Sequence, residues 1–117
     1  MDLDNAIRKH GEWKLKFRSA IANQASSDAA SISRDGSCDL GKWLHGEART
    51  RYAHLSSRAD CLARHAAFHV EAGKVASTIN AKKYDEAQAM LGAGTRYASA
   101  SSAVGVAIIR LKKEAGL

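Results

Sequence analysis

Apolar and ring-bearing side chains recur at helical spacing along the first part of the chain. Eight such residues fall on one stripe: Leu3, Ala6, Ile7, His10, Trp13, Phe17, Ala20 and Ile21. Positions three and four residues apart lie on the same face of an α-helix. The spacing therefore predicts a first helix, which we expect to end before Ala25.

Two further stretches carry the same periodicity. From Arg58 to Asn80 the inward positions alternate three and four residues apart, at Leu62, His65, His69, Ala72, Ala76 and Ile79. From about Tyr84 to Glu114 they are Ala87, Met90, Leu91, Ala98, Ser101, Val104, Ile108 and Leu111. The pattern predicts two long helices, the second weakened or kinked at Gly92 and Gly94, because glycine is a poor helix former.

The segment between the first two long helices is polar. Ala25 to Ser37 contains five serines and two aspartates, whose side chains compete for backbone hydrogen bonds and favour a loop. Ser37 is a candidate cap for a short helix that Gly46 ends, with Cys38 in its first turn. The apolar residues of this short helix are Leu40, Trp43 and Leu44.

The stretch from Gly46 to Leu55 predicts one turn of helix, through Ala48 to Tyr52, with Ser56 or Ser57 capping the next helix. No strand-like alternation is present. We therefore expect an all-α fold, an antiparallel four-helix bundle with a short extra helix that carries Cys38. The 117 residues, 45% of them hydrophobic and none of them proline, predict a single domain over residues 1–117.

Net charge and hydropathy narrow the choice of partners. Eighteen Lys and Arg against 12 Asp and Glu give a net charge of +6, which favours acidic partners. The basic residues are spread along the chain and aromatic residues make up only 6%, so nucleic-acid binding is weakly supported. No apolar run is long enough for a membrane span, and the N-terminus lacks the features of a secretion signal. We expect a cytoplasmic protein.

Three histidines are predicted to point inward. His65 and His69 are one helical turn apart, so both imidazoles can reach one ion. His10 lies on the apolar stripe of the first helix. A single buried histidine is commonly satisfied by a backbone carbonyl, but three of them together with a cysteine indicate a metal site.

Cys38 supplies the sulfur that such a site requires. A residue at a helix N-terminus faces unpaired N–H groups, which favour the thiolate. Three histidines and one cysteine complete a tetrahedral zinc site, whereas magnesium and calcium prefer oxygen ligands. Cys61, one turn before His65, is interpreted as a small buried hydrophobic residue, with an alternative ligand or a resolving thiol for Cys38 left open. His45 and His54 are interpreted as surface residues.

These motifs resemble the chemoreceptor zinc-binding domain family. The most specific part is the block from Cys38 to Trp43, Cys-Asp-Leu-Gly-Lys-Trp, which stands with His10 and Trp13 before it and the two spaced histidines after it. The resemblance implies zinc held by His10, Cys38, His65 and His69, with Trp13, Leu40, Gly41 and Trp43 as the packing that positions these ligands. It also implies a homodimer, and a bacterial sensory domain found in chemoreceptors and diguanylate cyclases.

Four protein ligands leave zinc no open position, so we expect no enzyme. The favoured function is a redox switch, in which an oxidant such as hypochlorous acid attacks zinc-bound Cys38 and changes an attached or partner output domain that controls chemotaxis or cyclic-di-GMP signalling. One alternative is a zinc sensor whose metal occupancy inhibits that output domain. A second alternative is a basic helical bundle that is structural or binds nucleic acid, which would contain no zinc.

Overall fold

The computed structural model describes all 117 residues, which form α-helices joined by turns, with no strand. Three helices are long: α1 (Leu3–Asn23), α5 (Ser56–Asn80) and α7 (Arg96–Ala115). Four are short: α2 (Ala29–Ile32), α3 (Asp39–His45), α4 (Glu47–Arg51) and α6 (Tyr84–Met90). One turn of 3₁₀ helix, Asp35–Ser37, precedes α3.

The long helices form a bundle whose directions follow from contacts between their ends. The ammonium of Lys112 near the end of α7 lies 2.8 Å from the carboxylate of Asp4 at the start of α1, so these two helices are antiparallel. The Asn80 side chain at the end of α5 bonds the backbone of Ser27, just beyond the end of α1. The ends of α1 and α5 therefore lie close together, and the short helices return the chain to the start of α5. The predicted all-α bundle with a short helix after Cys38 is confirmed.

The core is continuous between the long helices and the short ones. Its largest fully buried apolar side chains are Phe17, Phe68, Leu44, Ile79, Leu91, Ile108 and Leu111. Burying a side chain of this size contributes roughly 1.5–3 kcal/mol to folding. The rings of Phe68 and His10 are 5.3 Å apart, so the apolar core extends up to the buried histidines.

The polar segment predicted as a loop contains a short helix, α2. The Asp28 carboxylate caps it by accepting a hydrogen bond from the backbone N–H of Ser31. Ile32, the one large apolar residue of the segment, is buried and anchors α2 against the core. Serine and aspartate here serve as caps rather than helix breakers, so the loop prediction was wrong for these residues.

Two predicted caps were also wrong. The N-cap of α3 is Cys38 itself, whose Sγ accepts the backbone N–H of Gly41 at 3.4 Å, and Ser37 belongs to the preceding 3₁₀ turn. The N-cap of α5 is Leu55, which offers no side-chain hydrogen bond. Gly46 does end α3, and the predicted turn of helix after it is α4.

The last predicted helix is broken in two rather than kinked. The chain leaves α6 at Leu91 and passes Gly94, whose φ of 78° lies in the left-handed region that suits glycine. Thr95 then caps α7, its Oγ1 accepting the backbone N–H of Ala98 at 3.2 Å. A glycine with positive φ followed directly by a capping threonine starts a new helix, which explains the break.

Candidate metal centre

Four potential metal ligands converge where α1, α3 and α5 meet. His10 comes from α1, Cys38 from the N-cap of α3, and His65 and His69 from successive turns of α5. One ligand atom from each residue lies within 4.8 Å of all the others. The three histidines are buried and Cys38 is partly exposed. The fold thus brings together residues from both ends of a 60-residue stretch of sequence.

The Nε2 atom of His65 is central to the cluster. It lies 3.0 Å from His10 Nε2, 3.0 Å from His69 Nε2 and 3.1 Å from Cys38 Sγ. The Cys38 Sγ to His10 Nε2 distance is 3.9 Å. The atoms that face one another are therefore three imidazole nitrogens and one sulfur.

Backbone carbonyls fix the tautomers of two of these histidines. His10 Nδ1 donates to the carbonyl oxygen of Ala6 at 2.7 Å, and His69 Nδ1 donates to that of Ile32 at 2.8 Å. Because a carbonyl only accepts, the proton of each neutral ring is on Nδ1 and its Nε2 presents a lone pair. Lone pairs that face one another within 4.8 Å repel, and a cation among them removes this repulsion.

Burial keeps the three histidines neutral. It lowers the pKa of His10, His65 and His69, and that of His65 falls to about 3, with the charges of the other two as further causes. The neutral imidazole is the form that binds a metal ion. Unlike the other two rings, His65 has a buried Nδ1 with no hydrogen-bond partner.

Two opposing effects act on the pKa of the Cys38 thiol. Burial raises its pKa more than the backbone amides of Gly41 and Leu40 lower it. The backbone amides at the helix N-terminus therefore favour the thiolate, as predicted, but they do not outweigh burial. A metal ion among the imidazoles is the positive charge that would stabilise the thiolate in this position.

The donor set fits zinc. With Zn–N distances of about 2.0–2.1 Å and Zn–S of about 2.3 Å, tetrahedral geometry places two nitrogens about 3.3 Å apart and a nitrogen and sulfur about 3.6 Å apart. The observed separations of 3.0, 3.1 and 3.9 Å lie close to these values on either side. Three nitrogens and a sulfur without a carboxylate suit zinc rather than magnesium, calcium or a di-iron centre.

Four residues of the sequence motif were predicted to position the ligands, and three of them lie near the cluster or in the core beside it. Gly41 allows the closest approach, since a Cβ there would lie 1.8 Å from the carbonyl oxygen of Asp35 and 3.2 Å from Cε1 of His65. Leu40 is buried in the core. Trp13 stacks on Phe17 along α1 and lines a groove that reaches His10 and Cys38.

The fourth of these motif residues, Trp43, lies on a different side of α3. Its ring packs on that of Tyr52, with 6.0 Å between the ring centroids. The indole is almost fully buried there, at 9% exposure. Its place in the structure is therefore the contact between α3 and the turn after α4.

Several residues next to the cluster have no signature in the sequence. Ala6 and Ile32 contribute only carbonyl oxygens, which any residue type carries. Gly73 of α5 allows Ser33 to approach, because a Cβ there would lie 2.6 Å from the Ser33 Cβ. The contact holds α2, and with it the Ile32 carbonyl, against His69. Phe68 could have been predicted from its helical spacing, three residues after His65 and four before Ala72. Its ring packs beside those of His10 and His69.

The remaining cysteine and histidines lie outside the cluster. Cys61 is a free thiol with no exposed surface, and burial raises its pKa to about 12. Both observations agree with its interpretation as a small buried hydrophobic residue. His54 and His45 are exposed, as predicted. His45 Nε2 lies 2.8 Å from a carboxylate oxygen of Asp35.

Comparison with known proteins identifies the family. Residues 10–76, more than half of the chain, match the family model described as the chemoreceptor zinc-binding domain, and the matched span contains all four clustered residues. No curated protein and no solved structure matches the chain. None of the helices combines the length and the apolar composition needed to cross a membrane. The match and the cluster together show that the chain belongs to the chemoreceptor zinc-binding domain family.

Proposed function

We propose that the chain is a bacterial cytoplasmic regulatory domain that binds one zinc ion through His10, Cys38, His65 and His69. The observation that carries this proposal is the convergence of their four donor atoms within 4.8 Å, two of the imidazoles having Nδ1 engaged by a carbonyl. A cation is the group that such an arrangement accommodates. The family match supports zinc as that cation.

The role that suits four protein ligands is regulation rather than catalysis. Zinc, when bound, supplies the charge that keeps Cys38 a thiolate. A closed ligand set leaves no position for water or substrate. The ligands themselves connect α1, α3 and α5, so a change at any one of them alters the contact between helices.

We propose that Cys38 is the residue of the switch that reacts with the oxidant. It is the only sulfur ligand, it is partly exposed, and a groove of about 410 Å³ between α1 and the start of α3 leads to it. A strong oxidant such as hypochlorous acid transfers its oxygen: thiolate plus HOCl gives sulfenic acid plus chloride, with two electrons passing from sulfur to chlorine. The sulfenic acid is a weaker metal ligand than the thiolate.

The reaction would act on α3 directly, because the same Sγ accepts the backbone N–H of Gly41. Oxidation changes this N-cap and loosens α3 from α1, which holds His10. We propose that the bundle acts on an output domain that controls chemotaxis or cyclic-di-GMP signalling and is either joined to the bundle or bound to it. We also propose a homodimer, for which size-exclusion chromatography with light scattering is the test.

The alternative is a zinc sensor, which uses the same cluster with the metal as the stimulus. The two functions differ in the zinc affinity that they need. A redox switch remains loaded in the resting cell and therefore binds zinc far more tightly than the free cytoplasmic concentration. A sensor has a dissociation constant close to that concentration, so competition titration separates them.

The first experiment is elemental analysis of untagged protein. We expect about one zinc per chain in the wild type and in Cys61→Ser, and loss or loose binding in Cys38→Ser. Mass spectrometry after hypochlorous acid treatment then tests the switch, with oxidation at Cys38 and release of zinc as the expected result. Wild-type protein that neither contains nor takes up zinc would contradict the proposal. If zinc is retained and Cys38 is unmodified after the treatment, the redox function is excluded but the zinc site is not.

A further inference from the structure

One polar group of the metal centre has no partner. His65 Nδ1 is buried without a hydrogen bond, whereas the Nδ1 atoms of His10 and His69 each donate to a carbonyl. A histidine that binds a metal through Nε2 carries its proton on Nδ1, and such ligands almost always donate that proton to an acceptor. A buried donor left unpaired costs about 1–3 kcal/mol. The central ligand of the cluster therefore requires an acceptor.

Asp35 borders the cluster beside His65 and carries a carboxylate, which is a strong hydrogen-bond acceptor. Its backbone carbonyl oxygen and the Cε1 atom of His65 border the same small space, the one that a Gly41 side chain would fill. Burial lowers the pKa of His65 and of His69, and the negative charge of Asp35 opposes that shift in both. Its side chain is only one-quarter exposed.

The Asp35 carboxylate has a competing partner at the surface. In this structure it bonds His45 Nε2 at 2.8 Å, and the imidazole of His45 is about half exposed. His45 is the last residue of α3, the helix that Cys38 caps. Asp35 therefore contacts both ends of α3. Its carboxylate bonds His45 at the C-terminal end, and its backbone carbonyl accepts the N–H of Cys38 at the N-terminal end.

We propose that Asp35 is a positioning residue of the metal centre, whose carboxylate exchanges His45 for the Nδ1–H of His65 when zinc binds. The inference rests on the proposed zinc site. Zinc, one thiolate and three neutral imidazoles carry a net charge of about +1, which attracts the carboxylate inward. His45 is released at the same time, so the exposed end of α3 changes its contacts with metal occupancy.

Zinc affinities of matched variants test the proposal. Replacement of the carboxylate by an uncharged and weaker acceptor in Asp35→Asn should weaken zinc binding about 10–100-fold in competition with a chromophoric chelator. His45→Ala removes the competitor and should strengthen binding. Asp39→Asn, which removes the same charge from an exposed position beside Cys38, should change affinity less than about threefold. A purely structural bond between Asp35 and His45 predicts instead that the Asp35 and His45 variants both weaken binding.

Imidazole NMR gives a readout that is independent of affinity. In zinc-loaded wild-type protein we expect a slowly exchanging His65 Nδ1–H resonance that moves or broadens in Asp35→Asn and is unchanged in Asp39→Asn. The proposal is overturned if that resonance is the same in Asp35→Asn, or if His45→Ala weakens zinc binding. Absence of zinc binding by the wild type would instead refute the proposed function.

Discussion

The Nε2 atoms of His10 and His65, 55 residues apart in sequence, are 3.0 Å apart in the fold. They belong to α1 and α5, and the Sγ of Cys38 adds the start of α3 to the same cluster. An ion held there connects three helices that the chain reaches separately. Metal binding and the stability of the bundle should therefore be coupled.

Removal of metal should lower the thermal stability markedly. A ligand at 1,000 times its dissociation constant adds about 4 kcal/mol to the free energy of unfolding. For a domain of this size that corresponds to a melting temperature higher by at least about 10 °C. Calorimetry with zinc and with excess chelator measures the difference. His65→Ala is the control, because its melting temperature should be the same in both buffers. A wild-type melting temperature that is also the same in both buffers would contradict the coupling.

Gly41→Ala should disrupt the start of α3. The new Cβ would lie 1.8 Å from the Asp35 carbonyl oxygen, so the helix must move away from the 3₁₀ turn and from His65. We expect loss of at least about 2 kcal/mol in urea unfolding, since strained packing costs about 1–3 kcal/mol, and weaker zinc binding.

Gly105→Ala is the matched control for this substitution. It places the same methyl group in the middle of α7, in open space, and should stabilise the protein by up to about 1 kcal/mol because alanine is the better helix former. Equal effects at positions 41 and 105 would show that the close approach at α3 has no energetic importance.

Gly73→Ala should weaken the metal site from a distance. Its Cβ would lie 2.6 Å from that of Ser33, which forces α2 away from α5. The Ile32 carbonyl would then lose the Nδ1–H of His69, and we expect a fall in zinc affinity of about 10-fold or more. Competition titration measures it, and NMR should show the His69 Nδ1–H exchanging faster. Unchanged zinc affinity in a folded Gly73→Ala protein would show that the contact between Gly73 and Ser33 does not support the metal site.

The sequence predicted the parts of the fold that depend on side-chain periodicity. Both α1 and α5 follow from their apolar stripes, and the four clustered donors follow from His10, His65 and His69 on those stripes together with Cys38. The break before α7 was underestimated, although Gly94 and the capping Thr95 were visible in the sequence. A glycine that needs positive φ ends a helix instead of bending it.

The support around the cluster could not be predicted from sequence. The acceptors for His10 and His69 are backbone carbonyls, which leave no trace in residue type. The closeness of Asp35 to His65 depends on a 3₁₀ turn within a segment that looks like a polar loop. Such contacts between distant segments are set by packing, and local propensity contains no information about them.

Tyr97→Phe should stabilise the protein. The Tyr97 ring lies in the core between Phe17 and Phe68, with centroids 6.0 and 5.7 Å away, and its hydroxyl is buried with no hydrogen-bond partner. Burial also raises the pKa of this hydroxyl to about 12. Removal of the oxygen relieves an unsatisfied group, and we expect a gain of about 1 kcal/mol in urea unfolding with an unchanged slope. Tyr84→Phe, at a half-buried position, should change stability by less than about 0.5 kcal/mol. A loss of stability in Tyr97→Phe would mean that the hydroxyl makes a hydrogen bond in the folded protein in solution.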